Sequence, residues 1–151
     1  MANLGCGCPG SMARTIEREE SNNTTDVKAR SELRQWPVQL HLVPPAAPYF
    51  QNADILISAD CVAFAMGSMH QDLLKGKALA IACPKLDDTT GYVEKLATIF
   101  STNSIKSIAV AIMEVPCCRG LDIMVQEALA KSGKAIPLES LIIGIDGERR
   151  N

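Results

Sequence analysis

Four stretches of this chain, residues 55–59, 78–82, 108–113 and 141–145, are nearly continuous runs of aliphatic side chains. A strand that is apolar on both faces has to be covered on both, and such strands alternating with helices specify a mostly parallel sheet between helical layers. Between the runs the apolar positions recur at helical spacing. Val62, Met66, Met69 and Leu73 share one face, then Val93, Leu96, Ala97 and Phe100, then Leu121, Met124, Val125, Ala128 and Leu129. A fifth run, 38–43, alternates instead: Val38, Leu40 and Leu42 face one way, Gln39 and His41 the other, which predicts an edge strand with His41 on its polar side. The expected fold is therefore α/β, a three-layer, mostly parallel sheet of about five strands with helices on both faces and right-handed crossovers. Trp36-Pro37 marks the start of the first strand, because the residue before a proline is pushed out of helical geometry. Asp88 or Thr90 is placed to cap the second helix, while Gly76 and Gly133 close the first and third. The Pro-rich connection 44–52 is too short for a crossover helix.

Residues 1–30 have a different character. After Cys6-Gly7-Cys8-Pro9-Gly10 they are mostly charged or polar, and they read as an N-terminal tail ahead of an α/β domain at 31–151. A chain of 151 residues buries about 68–70% of its unfolded surface, so its 47% hydrophobic content builds a core without disulfide staples. The six cysteines need another explanation. Fifteen Lys and Arg against 17 Asp and Glu, with 4% aromatic residues, offer no basic stripe and no stacking platform, which argues against nucleic acid as a partner. No apolar run approaches the roughly 18 residues of a membrane span, and Leu4-Gly5-Cys6 does not follow the charged and apolar regions of an export signal. The expected location is the reducing cytoplasm, where many cysteines point to metal or redox chemistry rather than to disulfides.

Four cysteines fall at strand ends. Cys61 follows the run ending at Ala59, Cys83 follows Ala82, and Cys117 and Cys118 follow Met113-Glu114-Val115-Pro116. In a parallel sheet all carboxyl ends lie along one edge, and ligands of open α/β folds bind in the crevice outside it. Each thiol also precedes a helix or sits in a turn before one, so backbone N–H groups would face the same point and favour an anion such as a thiolate-bound metal centre. A lone cysteine at a strand end commonly only packs, and all four packing is the blandest reading. Vicinal Cys117 and Cys118, however, have poor geometry for a disulfide. Cys6 and Cys8 form a C-x-C pair in a glycine-rich loop able to wrap a metal, and with so few apolar residues the tail has little reason to fold back without one. Thiolate sets select zinc, copper(I) or iron–sulfur clusters, and the C-x2-C spacings of zinc sites are absent. Lys85 and Arg119, each within two residues of a cysteine, are placed to offset the negative charge of such a cluster. Asp60 and Glu114 stand beside the ligands as candidate proton relays, and His70 as a minor candidate ligand. No glycine-rich phosphate loop follows the first strand.

From Gly5 to Gly147 the chain resembles the C-terminal region of a family of anaerobe iron–sulfur proteins described as ferredoxin-like or 4Fe-4S-binding. The resemblance rests on Cys6-Gly7-Cys8-Pro9-Gly10-Ser11, on Ser31-Glu32-Leu33-Arg34-Gln35-Trp36-Pro37-Val38-Gln39-Leu40 and on Ala59-Asp60-Cys61. It extends through Cys83-Pro84-Lys85-Leu86-Asp87 and Met113-Glu114-Val115-Pro116-Cys117-Cys118. Longer family members carry an N-terminal ferredoxin module with two C-x2-C-x2-C-x3-C runs. This sequence lacks it, which implies electrons from a separate ferredoxin or other redox partner protein, or a chain that is a shortened paralogue or a fragment.

The expectation is an iron–sulfur redox protein that carries out electron transfer or cluster-based reduction. Its cluster is held by Cys61, Cys83, Cys117 and Cys118, with the tail closing over it through Cys6 or Cys8. A 4Fe-4S cubane needs four thiolates. Six equal the ligand count of the eight-iron nitrogenase cluster, and adjacent cysteines resemble those holding noncubane clusters in heterodisulfide reductases, so a larger core stays open. A zinc-binding or thiol–disulfide redox domain is the alternative, and a second copy of the chain stays open as a partner.

Overall fold

In the computed structural model, which describes residues 14–18 and 28–151, the four continuous apolar runs become β1 (Ala53–Ala59), β2 (Lys77–Ala82), β3 (Ile105–Met113) and β4 (Leu138–Ile143). All pairings are parallel, in the order β2-β1-β3-β4. Ile55, Leu56 and Ile57 of β1 are at most 1% exposed, as a central strand covered on both faces requires.

The helical stretches fold as α1 (Val62–Ala65), α2 (Tyr92–Thr102) and α3 (Arg119–Ser132). The sheet order fixes which face each occupies. The chain moves from β1 to β2 in one direction, then crosses back over β1 to β3 and on to β4 in the other, so right-handed connections put α2 and α3 on one face and the α1 segment on the opposite one. Close packing of α2 against α3 agrees. The apolar faces read from the sequence are the buried ones: Leu96, Ala97 and Phe100 on α2, and Leu121, Val125 and Ala128 on α3, all lie in the core.

Three local expectations differ from the structure. The first helix stops at Ala65, and after Gly67 the chain resumes as a π-helical turn at His70–Leu74, although Val62, Met66, Met69 and Leu73 are all buried as the spacing required. Glycine disfavours helix interiors, and tertiary packing completes the face without a continuous helix. Second, 38–43 makes only one parallel bridge, Gln39 to Ile81, through Leu40 N–H to Ile81 C=O (2.9 Å) and Ile81 N–H to Val38 C=O (2.8 Å). The remaining edge of β2 is capped by the Gln35 amide, which both accepts from Leu79 N–H and donates to Leu79 C=O, each at 2.8 Å, as a neighbouring strand would. Third, α2 is preceded by Gly91 at φ 84° rather than by a capping side chain; Asp88 accepts from Thr90 N–H in the turn before it. Gly133 closes α3 in the left-handed conformation, as expected. On the far side of the sheet the C-terminal residues fold back beside β4, with Gly144 N–H on Glu148 C=O and Arg150 N–H on Ile142 C=O, both at 2.8 Å.

Candidate functional site

The reversal of direction between β1 and β3 creates a switch point: the chain leaves β1 toward one face and β3 toward the other, and a crevice opens between their carboxyl ends. The strand ends lie level, with Ala59 opposite Ala82 and Met113 opposite Ile143, so the segments leaving the strands start at one height. Cys61 follows β1 as the residue before α1; Cys117 and Cys118 follow β3 in a 3-10 turn, Pro116–Cys118, that runs into α3. Cys83 directly follows β2. Together the four thiols line a single pocket of about 470 Å³. Cys61 is exposed, Cys83 and Cys117 half-buried and Cys118 buried. Cys83 sits at the start of a loop rather than before a helix, because α2 begins only at Tyr92.

The pocket wall is apolar, formed by Met113, Val115, Ile145, Pro84 and Leu86. Among the described residues, no three His, Cys, Asp or Glu side chains are arranged to hold one metal ion. The thiols nevertheless interact. Partial desolvation raises the Cys61 thiol above its ordinary value even though the residue is exposed, and the nearby Cys83, Asp60 and Cys117 raise it further. Burial pushes Cys118 up to about 11, with Cys117 and Cys61 adding to the effect. Burial and the charge of its neighbours both disfavour the thiolate, so a thiol raised in this way stays protonated near neutrality.

Lys85 lines the pocket from its exposed loop. Arg119 instead lines the adjoining groove of about 530 Å³ beside Glu114 and Asp122. Cys6 and Cys8 lie outside the described residues. The tail does contribute Arg14 to the thiol pocket, a residue that composition alone gave no reason to single out. His70 is engaged elsewhere: its Nδ1 accepts from Glu32 N–H at 3.0 Å. Asp60 keeps a buried Oδ1 with no partner among the described residues; burial and then the Asp87 charge raise its carboxyl above the usual range.

Glu114 turns away from the thiols and onto the C-terminal return. Its Oε2 accepts from Arg150 Nε at 2.9 Å and its Oε1 from Ile145 N–H at 3.1 Å, and these bonds, the Arg150 one foremost, hold its carboxyl below the ordinary value. A lowered folded-state value means that the stability this contact adds is present above the ordinary range of Glu and is lost as pH falls through the folded-state value. Amide exchange at Ile145 should therefore be slower in the native chain than in Glu114→Gln near neutrality, the two converging only below about 4.5. Equal rates near neutrality would show that the contact does not restrain the C-terminal return.

A parallel α/β sheet with a crevice at its switch point defines a nucleotide-binding-like architecture by shape alone, and shape does not specify chemistry. The chain belongs to the Rossmann-like domain family, the match running over residues 47–150 and so including Cys61, Cys83, Cys117 and Cys118. A protein of Archaeoglobus fulgidus, described as an uncharacterized protein, is 35% identical over 116 residues, covering 77% of this chain and 81% of its own length. No solved structure matches. No helix among the described residues is long and apolar enough to cross a membrane.

Proposed function

We propose that this chain is an iron–sulfur redox protein whose cluster is bound at the switch-point crevice by Cys61, Cys83, Cys117 and Cys118. The observation that carries the reading is the convergence of four thiols from three separate strand ends on one apolar pocket. Packing alone gives no cause for that coincidence. A single zinc ion needs its sulfurs about 2.3 Å from one point, whereas a multi-iron core spans thiols that share a pocket without meeting at a point. When bound, the cluster supplies one-electron transfer at a potential set by its charge and surroundings. The chain's own residues set those surroundings: Met113, Val115 and Ile145 give the pocket an apolar floor, and the cations of Lys85 and Arg14 favour the more negative, reduced state.

Cys6 or Cys8 closes the site in this reading. Arg14 already lines the pocket, and the six residues from Cys8 to Arg14 reach at most roughly 20 Å, enough to bring a thiol back across the mouth. The cytoplasm is the compartment that keeps these thiols reduced, and a separate ferredoxin or similar redox protein is the electron partner. Protein purified without oxygen should be brown, contain iron and acid-labile sulfide in comparable amounts, and give a paramagnetic resonance signal on reduction. Colourless protein containing zinc, or metal-free protein that cycles between thiols and disulfides, would replace this reading with the zinc or thiol-redox one.

A further inference from the structure

We propose that Asp87 is the positioning residue for Cys83: it locks the loop that presents this thiol to the pocket and places a fixed negative charge behind it. The positioning part stands on the loop geometry, and the effect on a cluster rests on the proposed iron–sulfur function.

The loop from Cys83 to Asp87 is closed from both ends. Cys83 N–H donates to Asp87 Oδ2 and Asp87 N–H donates to Cys83 C=O, each at 3.0 Å. The same Oδ2 also accepts from Tyr92 Oη at 2.6 Å and from Gln39 Nε2 at 3.0 Å. One carboxylate oxygen thus ties the loop to the first residue of α2 and to the segment bridged onto β2. Tyr92 is 1% exposed, so this anchor is rigid. A carboxylate oxygen that accepts three hydrogen bonds is favoured in its charged form. From the other side, Pro84 rests against Gly120 in the first turn of α3, where an added Cβ would stand 3.3 Å from Pro84 Cβ. The loop is clamped between α2 and α3, which holds Cys83 in the wall of the pocket it shares with Cys61, Cys117 and Cys118. Lys85 and Leu86, at the tip of the loop, stay exposed.

The test reads Cys83 directly. In the full chain stripped of metal by a chelator, the rate of iodoacetamide alkylation at Cys83 is measured against that at Cys61 by mass spectrometry. Losing a hydrogen bond to a charged acceptor should open the loop enough for Asp87→Ala to raise that ratio roughly tenfold or more. Tyr92→Phe, which removes one of three donors and keeps the buried ring, should raise it by less in the same direction. In protein loaded with iron and sulfide, Asp87→Asn should shift the reduction potential upward, because a negative charge near the cluster is removed. An unchanged ratio in a folded Asp87→Ala, or in Tyr92→Phe should the former not fold, overturns the positioning role. An unchanged potential in Asp87→Asn overturns the electrostatic one. Iron content of the unaltered chain judges the proposed function separately, since the alkylation ratio needs no cluster.

Discussion

Replacing Cys61 and Cys118 together by Ser is expected to lower bound iron and sulfide by more than the roughly 10–100-fold that accompanies loss of a mere supporting contact around a metal. The pair is chosen for where it sits. Cys61 leaves β1 and Cys118 leaves β3, the two strands that flank the switch point, so the double variant removes a thiol from each wall of the crevice. Cys61 is exposed, and serine there costs the fold little. Cys118 is 7% exposed, and its serine hydroxyl should cost a modest amount that thermal unfolding of the metal-free protein measures separately. Folded double variant that still carries iron and sulfide at the level of the unaltered chain would remove these thiols from the site.

The largest effect on stability is expected from Phe100→Ala. Phe100 is fully buried on the face of α2 that enters the core, and truncating a buried Phe costs about 3–5 kcal/mol through lost transfer energy and the cavity left behind. For a chain of this size that corresponds to a fall in Tm of roughly 6–20 °C, with the urea midpoint shifting and the slope unchanged. Phe64 supplies the internal contrast. It is 92% exposed, so Phe64→Ala should change stability by no more than about 0.5 kcal/mol. Similar losses in the two variants would mean that the core is not built around that face of α2.

The candidate site was legible in the sequence to the extent that it depends on strand ends. Apolar runs ending at Ala59, Ala82 and Met113 placed the four cysteines on one edge, because a parallel sheet has only one carboxyl edge. Asp60 and Glu114 looked equivalent as sequence neighbours of those ends. Their surroundings separate them: Asp60 lies in the charge field of Cys61, whereas Arg150, 36 residues away, takes Glu114. Arg119 looked equivalent to Lys85, yet the helical turn at the start of α3 carries it to the neighbouring groove. Two of the donors at Asp87 are sequence neighbours, Cys83 N–H and Tyr92, but the third, Gln39, lies 48 positions away, and only the fold brings it there.

The sequence by itself determined the alternation of strands and helices, the faces they bury and the cysteines at the strand ends, because these depend on side-chain periodicity over a few residues. Tertiary structure alone decided the order β2-β1-β3-β4, and with it the crevice that opens between the ends of β1 and β3. It also made 38–43 a single bridge followed by a turn, with Leu42 and Val43 N–H both on Gln39 C=O, and gave the preceding stretch of the β2 edge to the Gln35 side chain. The physical reason is common to both: strand order and edge closure are set by competition among partners distant in the chain, and periodicity carries no information about who wins it.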